Sequence, residues 1–118
     1  MLNDLYTQAG ENLFDTPWET YPSPQLKRDS YVNLNGEWDF CVRPEAAIPG
    51  EYDHKILVPF CPESKLSGVG HKDFINGVWY QKKVTLTEEQ CTGTVFLHFG
   101  AVDYEATAYV KGKKAASH

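Results

Sequence analysis

Positive charge is scarce in this chain. Eleven Lys and Arg stand against sixteen Asp and Glu in 118 residues, a formal net charge of −5. The basic residues gather no further than pairs such as Lys82-Lys83 and Lys113-Lys114. Phosphate binding needs a concentrated positive face, so nucleic acid is not an expected partner. No apolar run approaches the ~18 residues that span a bilayer, so no membrane association is expected either. The opening residues, MLNDLYTQAGENLF, lack the positive n-region and the apolar h-region of a secretory signal. No Asn-x-Ser/Thr acceptor occurs. The three cysteines, Cys41, Cys61 and Cys91, are odd in number and widely spaced, with no Cys-x-x-Cys and no histidine at ligand spacing. Reduced thiols in a cytoplasmic protein are the expectation, with no metal and no cofactor.

Catalytic motifs are missing as well. There is no Gly-x-Ser-x-Gly elbow, no His-Glu-x-x-His and no phosphate loop, and Gly68-Val69-Gly70 reads as turn geometry. Two local carboxylate pairs exist, Glu37 with Asp39 and Asp103 with Glu105, each an i, i+2 pair on one face of a strand. Such pairs ordinarily mark the solvated side of a sheet, so no catalytic residue is assigned. No segment sustains a helical period.

What the chain does have is aromatic residues and period-two alternation. Three Trp, seven Tyr and six Phe make up 14% of the sequence, and such side chains suit strands and also surfaces that stack on sugar rings. Residues 1–30 are polar and carry Pro17, Pro22 and Pro24, which predicts an extended arm pinned by Trp18 and Tyr21. Residues 31–118 read as one β-domain. Trp38, Phe40 and Val42 alternate with Glu37 and Asp39 along one strand. Lys55 to Val58 is a second, stopped by Pro59. A long irregular loop follows, Phe60 to Gly77, of a length usually reserved for function. Val78 to Leu86 alternates again, with a bulge expected near Gln81 where Lys82 breaks register. After a polar turn at Thr87 to Gly93, two further strands place Val95, Leu97 and Phe99, then Tyr104, Ala106, Ala108 and Val110, facing inward. Short strands spaced by turn signals predict an all-β sandwich or barrel.

Four segments in order carry a resemblance. Asn33-Leu34-Asn35-Gly36-Glu37-Trp38-Asp39-Phe40, Ile56-Leu57-Val58-Pro59-Phe60-Cys61-Pro62-Glu63-Ser64, Gly77-Val78-Trp79-Tyr80-Gln81-Lys82-Lys83-Val84 and Phe99-Gly100-Ala101-Val102-Asp103-Tyr104-Glu105-Ala106 through Lys111-Gly112 resemble the N-terminal sugar-binding domain of glycoside hydrolase family 2, the β-galactosidase and β-glucuronidase family. The likeness covers roughly residues 21 to 118. It implies a jelly-roll, galactose-binding-like β-sandwich, incomplete at its C-terminal end, from a protein that hydrolyses β-galactosides or β-glucuronides. The two catalytic glutamates of that family belong to a later TIM-barrel domain, so this piece is expected to be non-catalytic and to have the barrel and a carbohydrate as partners. The loop after Pro59 is implied to reach the substrate, which makes Glu63, Ser64, His71 and Asp73 substrate-binding candidates, with Trp79 as a stacking platform. Phe60-Cys61-Pro62 stands where β-galactosidases of the family place a sugar-contacting asparagine. Lys111-Gly112 stands where the family shows Asn-Gly, and Lys takes positive φ reluctantly, so a strained turn or one of another type is expected.

Ending at His118, where a third strand is expected after the Lys111-Gly112 turn, the sequence reads as the front part of a larger protein with an open sheet edge. Homodimerisation or strand exchange through residues 104 to 110 is the expected consequence. Two rival readings stand beside the first: a free-standing carbohydrate-binding module, favoured by exposed coplanar aromatics, and a structural or interaction β-sandwich without sugar affinity.

Overall fold

The computed structural model describes residues 5–13, 17 and 24–118. The expected anchors Trp18 and Tyr21 lie outside the described residues. Among the described residues all strand pairing is antiparallel, in a three-stranded and a two-stranded sheet, and helix is confined to single turns. The chain is all-β, and it divides into two compact units, Met1–Lys83 and Val84–His118.

In the first unit, β1 (Gly36–Val42) is flanked by β2 (His54–Val58) and β3 (Val78–Gln81) in the order β2-β1-β3. Against β2 the register runs from Gly36 opposite Val58 to Phe40 opposite His54; against β3, Phe40 faces Tyr80 and Val42 faces Val78. The alternation of β1 explains its burial in part. Phe40 is fully buried and meets the Tyr80 ring edge-on at 5.1 Å, while Trp38 and Val42 are half-buried. Cys41 on the opposite face is fully buried too, so the end of β1 is covered on both sides. That burial raises the Cys41 thiol above its ordinary pKa. Ile56 of β2 is fully buried as well.

Glu37 and Asp39 lie on the solvated side, as their alternation predicts, and Lys55 bridges them at 3.5 and 2.6 Å. Asp39 is Lys55's direct cross-strand neighbour. The Asp39 hydrogen bond raises the Lys55 ammonium pKa.

Among its described residues the arm before β1 contains a 3₁₀ turn, Pro24–Leu26, and one α-helical turn, α1 (Gln8–Glu11), where the Thr7 hydroxyl accepts from Gly10 N at 3.1 Å. Pro17 is buried, and its carbonyl accepts from the Asn35 side-chain amide at 3.4 Å.

β3 is shorter than the alternation suggests. It stops at Gln81, and no bulge forms there. Lys82 folds back instead, donating to the Glu37 carbonyl at 2.9 Å with its ammonium 5.6 Å from the centre of the Trp38 ring. A basic residue captured by a carbonyl and an aromatic face leaves the ladder.

In the second unit, β4 (Thr107–Val110) and β5 (Lys113–Ser117) form a hairpin. The residues after the Lys111-Gly112 turn therefore form a strand of their own. Lys111 has φ 50° and Gly112 φ 76°, so the turn keeps the two positive φ values of a type I′ connection, with a Lys in the left-handed region. The expected strand through Val95, Leu97 and Phe99 does not form. These residues join no ladder among the described residues and are 54, 50 and 57% exposed. Alternation gives a segment the right faces, but a strand also needs neighbouring backbone to bond its N–H and C=O groups. Tyr104, at 90%, and Val110, at 53%, face solvent as well, and only Ala106 and Ala108 are half-covered. The polar turn holds a 3₁₀ turn, Glu89–Cys91.

The carbonyl of Gly77, entering β3, accepts from Arg43 N at 3.1 Å, and a Cβ at Gly77 would fall 2.7 Å from the Arg43 carbonyl oxygen. Gly77→Ala is expected to lower stability by about 1–3 kcal/mol, whereas Gly50→Ala, whose Cβ meets nothing within 4 Å, leaves it unchanged or slightly raised. Chemical denaturation of both variants checks the difference.

Candidate functional site

The loop after β2 is held by its own hydrogen bonds. Pro59 ends the strand, since it has no N–H for the ladder, and Phe60 N turns back to the Leu57 carbonyl at 3.0 Å. Ser64 then caps a 3₁₀ turn, Lys65–Ser67, its Oγ accepting from Leu66 N at 3.1 Å. Gly68, at φ 82°, closes that turn. His71 N donates to the Pro62 carbonyl at 2.8 Å, which brings the far side of the loop back onto its start.

Ser67 is the pivot. It is 1% exposed, and its Oγ donates to the Ser64 carbonyl at 2.6 Å while accepting from Val69 N at 3.1 Å. Sequence reasoning passed over it. The Ser-x-x-Ser spacing at 64 and 67 was the available signal, because hydroxyls at that spacing cap a turn and bond back to it.

This loop and the arm enclose an open groove of about 260 Å³. Leu5, Tyr6 and Leu66 supply apolar wall; Glu63, Ser64, Lys65 and Lys72 supply polar groups. Of the five candidates, the structure brings Glu63 and Ser64 together here. His71 is half-buried and Asp73 exposed, and neither lines the groove. Trp79 lies elsewhere, half-buried, with its indole N–H donated to the Glu45 carbonyl at 3.2 Å. That bond ties β3 to the loop around a second hollow of about 440 Å³, lined by Arg43, Glu45 and residues 47–51. Beside it, Asp53 takes a hydrogen bond from His54 at 2.9 Å and an ion pair from Arg43 at 3.4 Å. The His54 bond, with the Arg43 charge, lowers the Asp53 carboxyl below its ordinary value.

Chemically, the groove offers the Glu63 carboxyl group as acceptor, the Lys72 amino group as donor, and the Ser64 hydroxyl, whose oxygen accepts from Leu66 N. These suit a hydroxyl-rich ligand. Glu63 is the one carboxylate among the lining residues, so the groove does not hold the paired carboxyls, ~5–5.5 Å apart, of a retaining glycosidase. Among the described residues no three His, Cys, Asp or Glu side chains gather as a metal site. Lys72 and Tyr6 were not foreseen, Tyr6 because nothing local ties it to a loop so distant in sequence.

Tyr80 sits within electrostatic reach of this loop. Its pKa is pushed up to about 12, first by desolvation and then by negative charge at Cys61 and Glu63.

No family model matches the chain. It is 26% identical over 101 residues to a beta-glucuronidase of Streptococcus agalactiae serotype V, an alignment that covers 83% of this chain and 16% of that protein. The chain therefore spans a small part of the relative's length. At this level it is related to a portion of a glycosidase.

Two outcomes are expected from these contacts. Ser67→Ala strands the Val69 amide and loses the Ser64 tie, lowering stability by about 1–3 kcal/mol in denaturant unfolding. In an alkaline absorbance titration, the difference between the parent chain and Tyr80→Phe shows a phenol ionising near pH 12. Because the folded pKa lies above the unfolded value of ~10, the neutral phenol's contribution to stability is complete below pH ~10 and is lost as pH rises toward about 12.

Proposed function

We propose that residues 31–118 are the first part of the non-catalytic sugar-binding domain of a glycoside hydrolase family 2 protein, with a jelly-roll fold in the whole domain. The parent hydrolyses β-galactosides or β-glucuronides, and its catalytic barrel lies outside these residues. In that setting the loop from Phe60 to Gly77 braces the barrel and presents Glu63 and Ser64 to a sugar. The observation that carries the reading is the similarity to a beta-glucuronidase across 83% of the chain. The four segments quoted above support it, and so does the groove, whose lining fits hydroxyl recognition better than acid–base chemistry.

The free-standing module reading loses support from the tryptophans. Trp38 and Trp79 are each half-buried, and each commits its indole N–H to a backbone carbonyl, of Leu34 at 2.7 Å and of Glu45 at 3.2 Å. Indoles held this way brace loops rather than form an exposed coplanar platform. Trp79 is accordingly a structural residue in this reading, and the sugar falls to Glu63, Ser64 and Lys72.

The test is an NMR titration of the 118-residue chain with galactose, glucuronic acid and a β-linked disaccharide. Saturable shifts are expected at the Glu63, Ser64 and Lys72 amides, weakened at least about fivefold in Glu63→Ala, as loss of a charged hydrogen bond would do. A folded chain with flat spectra overturns sugar contact through this loop, and hydrolysis of an aryl β-glycoside by the purified chain overturns the non-catalytic assignment.

A further inference from the structure

We propose that the arm before β1 is part of the ligand site, with Tyr6 as the aromatic residue that stacks on the sugar. The inference rests on the sugar-binding reading and deepens it. It fixes the ligand as a single sugar ring and supplies the stacking residue that the tryptophans do not.

A pyranose is chemically two-sided. Its rim carries hydroxyls that need hydrogen-bond partners, while its ring faces carry C–H groups that gain from contact with an aromatic surface. A site for such a ring therefore needs polar groups on one wall and an aromatic side chain on another. Glu63, Ser64 and Lys72 meet the first requirement. Trp38 and Trp79 do not meet the second, because each is half-buried and tied through its indole N–H to a backbone carbonyl. Phe40 is fully buried against the edge of Tyr80. Of the described residues that line the groove, Tyr6 alone is aromatic. It is 43% exposed, so ring surface is open to a ligand.

The arm holds Tyr6 against the loop. Tyr6 Cδ1 and Leu66 Cδ1 each stand 3.6 Å from the point that a Cβ on Gly10 would occupy. The turn α1 thus presents bare backbone to both side chains, and residues far apart in sequence form one wall. A larger side chain at Gly10 would meet both. The Thr7 hydroxyl, next to Tyr6, fixes the same turn by accepting from Gly10 N at 3.1 Å. Further along the arm, buried Pro17 is tied to the Asn35 side chain. Tyr6 is therefore placed before a ligand arrives, which spares the cost of ordering it on binding. No residue of α1 is buried, so the arm does not lie on this loop to complete the core.

Size restricts the ligand. At about 260 Å³ the groove is smaller than the ~300–1,000 Å³ of sites for drug-sized molecules, and it suits one sugar ring rather than two.

The test is the NMR titration with galactose and with glucuronic acid, run on the 118-residue chain and on two variants. Tyr6→Ala is expected to weaken binding at least about fivefold, while Tyr6→Phe, which keeps the ring, stays within about twofold of the parent chain. Ring-current shielding gives a direct readout of stacking. C–H protons of the bound sugar should move upfield with the parent chain and Tyr6→Phe, but not with Tyr6→Ala. A tyrosine that only held the arm in place would not produce that shift. Because α1 buries nothing, both variants are expected to fold, and unchanged amide signals from β1 to β3 check this. Saturable shifts at Glu63 and Ser64 that Tyr6→Ala leaves at full strength overturn the stacking role and leave the sugar-binding reading standing. Flat spectra from the folded parent chain overturn both.

Discussion

Every strand pairing between residues 36 and 81 runs through β1. β2 and β3 lie on opposite sides of it and do not pair with each other, so the ladder of Gly36–Val42 carries both neighbours. The strand can do this because both its faces are covered near Phe40 and Cys41, and a covered strand with two partners leaves no backbone group wanting. What depends on it is the placement of the long loop between β2 and β3. Its first part builds the groove. Its end is closed onto Arg43, where Gly77 has no room for a side chain.

The electrostatics follow the same strand. Glu37 and Asp39 point out together, and two carboxylates at that spacing repel. Lys55, fixed opposite Asp39 by the register, answers both. Being exposed, the arrangement contributes modestly to stability. Its consequence is chemical: a carboxylate pair neutralised by a shared ammonium is suited to a sheet surface rather than to acid–base work.

Legibility in the sequence followed the locality of each interaction. β1 was readable because alternation of Trp38, Phe40 and Val42 is a local property that the partners merely confirm. The end of β2 was readable from Pro59. Lys82 was noticed as an irregularity, yet its capture by Glu37 and Trp38, far earlier in the chain, has no local signature. The stretch from Val95 to Phe99 failed in the opposite sense: the pattern is strong, and among the described residues nothing pairs with it. β5, LysLysAlaAlaSer, shows no alternation at all and exists because a two-residue turn returns the chain along β4. Of the candidate residues, Glu63 and Ser64 were brought to one groove, since they are neighbours in sequence. His71, Asp73 and Trp79 were chosen for their chemistry, and the fold sent them elsewhere.

The groove itself illustrates how a polar loop can be rigid enough to recognise anything. A loop of this length gains specificity only if its own backbone is ordered before a ligand arrives, because ordering it afterwards would cost affinity. Here Ser64 caps the turn, Ser67 locks it from inside, and His71 N closes it on Pro62. The hydrogen bonds that hold the loop are mostly made by its backbone and by two buried or half-buried hydroxyls, which leaves Glu63 and Lys72 with their side-chain groups facing the groove. Structure and recognition are thus assigned to different atoms of the same short segment, so that a change at Glu63 alters what is bound while a change at Ser67 alters whether there is a groove at all.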